Sequence, residues 1–121
     1  MSGMKTHLNP VSEEDCKSFD GYVKKWQAIL ALEQWRIERS ARRAKKAMAE
    51  VVFNDAGMLC TYRVGEHFGA AEVTPAMLET TALHEVLHVM LRKFKLDQSE
   101  ANEHEIVNML EKLLMKAKLC P

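Results

Sequence analysis

Two histidines and a glutamate stand close together in the run Ala82-Leu83-His84-Glu85-Val86-Leu87-His88-Val89-Met90-Leu91. The rest of this run is apolar, and a helix that is hydrophobic nearly all round is buried. Burying His84, Glu85 and His88 is costly unless they are paired or bind a metal. His84 and His88 lie one helical turn apart on the same face, so both imidazoles can reach one ion. Glu85 is rotated by about 100° from His84. From there it is badly placed as a third ligand and well placed to hold and deprotonate a water on the metal. This H-E-x-x-H pattern makes Zn2+ the expected cofactor, His84 and His88 its ligands, and Glu85 the general base.

The elements around the motif must hold it in place. Thr74 suits an N-cap and Pro75 the first helical position, with Val73 and Leu78 as a hydrophobic staple. The helix they open is expected to run to about Phe94, with Lys93 and Lys95 at its end. After a break at Leu96-Asp97-Gln98, Ser99 can cap a last helix whose stripe is Val107, Leu110 and Leu114. Upstream, Ser12 resembles an N-cap followed by Glu13, Glu14 and Asp15. Phe19, Val23, Trp26 and Ile29 or Leu30 recur at helical spacing, which predicts a helix over about 13–31. Gln34 to Arg39 alternates as a half-buried strand does, with Trp35 and Ile37 on one side. Ala49 to Phe53 and Met58 to Tyr62 flank Asn54-Asp55-Ala56-Gly57 and read as a hairpin. Val64 to Val73 reads as a loop. The order predicts an α+β fold: an N-terminal helix, a small three-stranded sheet with a hairpin, the histidine-bearing helix and a C-terminal helix.

The 121 residues fit one core. We expect a flexible N-terminus over 1–11 and one domain over 12–121. Seventeen Lys plus Arg balance seventeen Asp plus Glu, so the chain as a whole does not advertise a nucleic-acid or membrane partner. Arg42, Arg43, Lys45 and Lys46 are the candidate phosphate contacts, though such a run is more often a solvated turn. Cys16, Cys60 and Cys120 are odd in number and form no CxxC pair, which suits free thiols better than disulfides or thiolate zinc sites. The start of the chain lacks an apolar signal core and no run reaches membrane-span length. A cytoplasmic location is expected.

The segment Thr81 to Leu91, followed after a gap by Glu103-His104-Glu105-Ile106-Val107-Asn108-Met109-Leu110-Glu111, resembles small metallopeptidases of phages and bacteria. These are minimal gluzincins, similar to the ImmA/IrrE and SprT-like peptidase groups. The resemblance spans roughly residues 12–118, with its specific motifs in 81–111. It implies a zincin-like fold and a third zinc ligand that is a glutamate of the last helix. The SprT-like group uses a histidine there, an option that His104 keeps open. Among Glu100, Glu103, His104 and Glu105, Glu103 stands four residues before Val107 and seven before Leu110, and so shares the buried stripe. Glu105 falls well off it, His104 points away from its centre, and Glu100 sits in the first turn, where the helix dipole favours an acid without any metal. Glu103 is therefore the expected third ligand, with His104 and Glu105 as alternatives.

The implied reaction is hydrolysis of a peptide bond in a protein or peptide substrate. Such a substrate would lie extended along a strand edge, for which Met58 to Tyr62 is the candidate. Tyr62, Arg63, His67 and His104 are candidates for stabilising the oxyanion. Two readings compete with this one. One is a non-catalytic module that zinc stabilises, and the other is a regulator acting near DNA through the basic segment.

Overall fold

The computed structural model describes residues 8–93 and 100–119. In chain order it comprises α1 (Glu13–Ile29), β1 (Arg36–Arg39), β2 (Ala49–Asn54), β3 (Leu59–Val64), α2 (Pro75–Lys93) and α3 (Glu100–Leu119). This is an α+β architecture with three helices and a small mixed sheet. The expected helix end at Phe94, the break at 96–98, the Ser99 cap and Cys120 lie outside the described residues.

The N-termini of α1 and α2 form as their cap residues dictate. Ser12 accepts from the Asp15 amide while the Asp15 carboxylate accepts from the Ser12 amide, closing a reciprocal capping box. Thr74 Oγ1 accepts from the Met77 amide ahead of Pro75. Along α1, Cys16, Phe19, Val23 and Trp26 are buried. Leu30 packs against the core and Ile29 is exposed.

The hairpin pairs β2 with β3 antiparallel, Val51 opposite Tyr62 and Phe53 opposite Cys60. In its turn, the Asn54 side chain accepts from the Gly57 amide. The sheet order is β1-β3-β2, with β1 parallel to β3. The expectation that Met58 to Tyr62 is a free edge is therefore corrected, because β3 is central and is hydrogen-bonded on both sides. β2 is the edge that adjoins α2.

Cys60, Tyr62 and Val64 of β3 are buried on one face of the sheet, where Tyr62 meets Phe19 of α1 with ring centroids 5.5 Å apart. α2 is buried between α1 and α3, which is why nearly every side of it is apolar. Arg92 fastens its far end to the hairpin turn, bonding Asp55 at 2.6 and 2.8 Å and covering the Phe53 ring. No described helix is long and apolar enough to cross a membrane.

The last residues of the segment expected to be flexible are hydrogen-bonded to the loop after β3. The Asn9 amide donates to Gly69 O, the Val11 amide to Glu66 O, and Val11 is buried. Residues 1–7 lie outside the described residues.

Candidate metal centre

α2 and α3 run antiparallel, and acid–base contacts cross between them in order. Lys118 pairs with Glu79, Glu111 with His84, and Glu103 with His88. The antiparallel pairing places the middle of α3, at Glu111, opposite the middle of α2, at His84, and the start of α3, at Glu103, opposite His88. There a cleft of about 530 Å³ opens between α2, α3 and β2. Met48, Ala49 and Val51 line one wall, Met77, Thr80 and Thr81 another, and His84, Glu85 and His88 lie between.

His84, His88 and His104 converge here. One ring nitrogen from each lies within 4.8 Å of the others. The ring centroids are 5.0 Å apart for His84 and His88, 5.3 Å for His84 and His104, and 5.6 Å for His88 and His104. The Nδ1 atom of His84 lies 2.6 Å from a Glu111 oxygen, and that of His88 lies 2.8 Å from a Glu103 oxygen. With Nδ1 engaged in both rings, Nε2 is the nitrogen left to bind an ion.

Glu103, the expected third ligand, lines the cleft as well. It lies behind His88, on Nδ1, and His104 joins the pair of histidines. The physical reason is helix phase. Val107 is fully buried at the centre of the α3 stripe. A cleft opens at the flank of such a stripe, where buried surface meets solvent. At about 100° per residue, His104 and Glu111 are seven positions apart and so share that flank. The centre of the stripe points to Glu103, leaves His104 as an alternative and gives no sign of Glu111. The signal available in the sequence was the i, i+7 spacing of His104 and Glu111, which for Glu111 could have been read together with His104. Glu105 is exposed.

Glu85 is 7% exposed and reaches the floor of the cleft. Burial pushes its carboxyl up to about 7; His84 opposes this, while the negative charges of Glu50 and Glu111 reinforce it. A base poised there takes and returns protons near neutrality. For His84, burial acts to lower the pKa, but the Glu111 hydrogen bond and the charges of Glu85 and Glu111 raise it overall. For His88, burial prevails over the Glu103 bond and the pKa falls.

Of the other oxyanion candidates, Tyr62 donates to Asp20 at 2.5 Å on the α1 side of the sheet. Arg63 pairs with Glu50 at 3.3 Å, and His67 Nδ1 accepts from the Gly69 amide. None of these three lines the cleft, whereas His104 does. Arg43, one of the four candidate phosphate contacts, is used internally. Its guanidinium donates to the carbonyls of Val11, Val64 and Gly65. Arg42, Lys45 and Lys46 are exposed.

No protein-family model, curated protein or solved structure matches the chain.

Proposed function

We propose that this protein is a zinc-dependent peptidase with Glu85 as its general base. The observation that carries the reading is the convergence of three imidazoles beside a buried carboxylate at the foot of an open cleft. The donor set fits the metal: two of the histidines have their second nitrogen held by a carboxylate, an arrangement typical of zinc ligands. His84, His88 and His104 would hold the ion, in keeping with the histidine variant of the resemblance rather than the glutamate variant. Zinc bound by three protein ligands leaves a coordination position for water and supplies a Lewis acid.

Glu85 takes a proton from the attacking water and returns it to the amine that leaves. Its burial keeps bulk solvent from competing for that proton. An extended substrate would lie along the β2 edge, where Ala49 and Val51 border the cleft, and would be held by main-chain hydrogen bonds. Backbone amides of the β2 edge are the candidates to face the oxyanion.

The test is Glu85→Gln. The variant should keep its fold and one zinc per chain while losing cleavage of an unstructured protein such as casein. A Glu85→Gln protein that cleaves as fast as wild type removes the proposed mechanism. A wild-type protein that holds zinc and cleaves nothing favours the zinc-stabilised binding module.

A further inference from the structure

We infer that Glu111 and Glu103, both contributed by α3, are the positioning residues of the histidine cluster on α2. Each accepts the Nδ1–H of one ring and so leaves its Nε2 free for an ion. The inference rests on the zinc reading of the site. It assigns roles that the motif itself does not contain, since H-E-x-x-H specifies the rings but nothing that orients them.

The geometry is specific. The two contacts, at 2.6 and 2.8 Å, use the same atom of each ring. The paired side chains are largely withdrawn from water: 17% exposed for His84 and 16% for Glu111, and 15% for His88 and 32% for Glu103. A free imidazole exchanges its proton between two nitrogens. A carboxylate accepting at Nδ1 fixes the proton there and raises the ligand strength of the opposite nitrogen. His84 and His88 come from one helix and both carboxylates from the other. Docking of α3 therefore supplies the third histidine and sets the tautomers of the first two in the same step. Glu111 is the better shielded of the two carboxylates and is expected to have the larger effect.

The experiment uses the full chain and zinc itself as probe. Zinc affinity is measured by chelator competition for wild type, Glu111→Ala, Glu111→Gln and Glu103→Ala, with exposed Glu105→Ala as the control. In parallel, ring-nitrogen NMR of the metal-free proteins at pH 8 reads each tautomer. Glu111→Ala should bind zinc about 10–100-fold more weakly, the range for loss of an outer partner of a ligand histidine. It should release His84 from the Nδ1–H form and leave His88 unchanged. Glu103→Ala should do the converse. Glu111→Gln keeps the volume and an accepting oxygen, so it should recover most of the affinity even if the alanine variant folds poorly. Unchanged zinc affinity and an unchanged His84 tautomer in Glu111→Ala would overturn the inference while leaving the peptidase reading intact. Zinc affinity that falls as expected in a protein that hydrolyses nothing would support the inference and remove the peptidase reading.

Discussion

The indole nitrogen of Trp26 on α1 donates to the Glu79 carboxylate on α2 at 2.8 Å, and both groups are buried. Lys25 of α1 binds the same oxygen at 2.7 Å, and Lys118 of α3 binds the other. One carboxylate, 2% exposed, thus links all three helices. A buried charge is tolerated only when paired and hydrogen-bonded, and here both oxygens have partners. The clasp holds the last turns of α3 against α2. The histidine contacts lie further along the same interface, so the clasp helps keep His104 and Glu111 in register with His84.

Stability should depend on Glu79 and on its ionisation. Burial acts to raise its pKa, but the bonds from Lys118, Lys25 and Trp26 hold it below the ordinary 4.5. With the folded value depressed, the unfolded chain binds more protons in that interval. The contribution is then complete above 4.5 and is lost as pH falls through the folded value. Glu79→Ala leaves the buried indole N–H without its partner, while the lysines, 39% and 38% exposed, can turn to solvent. A cost of about 1–3 kcal/mol is expected at pH 7. Urea unfolding of wild type and Glu79→Ala between pH 3 and 7 checks this. Curves that stay parallel through the acid range would refute the link to ionisation.

His104 and Glu103 can be separated by metal content. His104→Ala should reduce zinc affinity by more than about 100-fold, beyond the ~10–100-fold effect of an outer partner. Glu103→Ala should stay within that smaller range. Elemental analysis after dialysis at pH 7.5, followed by chelator titration, decides between them. Full metal in His104→Ala with none in Glu103→Ala would restore Glu103 as the ligand.

The site was legible from the sequence where chemistry and local geometry coincide. His84, Glu85 and His88 lie on one helix, so their spacing alone brings the two rings together. Asn54 to Gly57 marked the hairpin because its turn chemistry is local. The neighbour of β3 was not local information. β1 joins it in parallel after the chain passes through β2, a pairing set by burial of Cys60, Tyr62 and Val64 under the helices. Glu111 was overlooked for a related reason. It faces His84, twenty-seven residues away, across a helix interface. Hydrophobic periodicity reports the middle of such an interface better than its edge.

Arg43 should behave unlike its basic neighbours. It donates to Val11 O at 2.6 Å, Gly65 O at 2.8 Å and Val64 O at 3.1 Å, tying the N-terminal segment to the end of β3. Arg43→Ala removes donors from carbonyls at a buried junction and should cost about 1–3 kcal/mol. Replacing exposed Arg42, Lys45 and Lys46 together should change stability by no more than about 0.5 kcal/mol. Thermal unfolding of the two proteins measures the contrast. If the triple variant also loses a salt-dependent affinity for duplex DNA, the basic segment has a nucleic-acid role that is separate from its structural one. Equal stability of Arg43→Ala and wild type would contradict the structural role.

Among the described glycines, Gly65 is the one least able to accept a side chain, and the reason is contact rather than backbone angle. A Cβ there would collide with the Ala47 carbonyl oxygen and lie 2.9 Å from that of Met48 and 3.1 Å from that of His67. These are backbone atoms and cannot swing aside as a flexible side chain would. The Gly65 amide also donates to Met48 O at 2.7 Å, which holds the strand that enters β2 against the end of β3. Gly65→Ala should therefore push residues 47 and 48 outward and weaken that bond, at a cost of about 1–3 kcal/mol for overpacking. The shift would reach the cleft, because Met48 and Ala49 form its β2 wall. Zinc affinity should change little, since His84, His88 and His104 lie on α2 and α3. Cleavage, where a substrate is found, should lose affinity for the peptide more than it loses turnover. Urea unfolding, chelator competition and steady-state kinetics on Gly65→Ala test the three parts separately. Wild-type stability in this variant would mean that the close approach of Gly65 to Ala47 and Met48 does not hold the β2 wall in place.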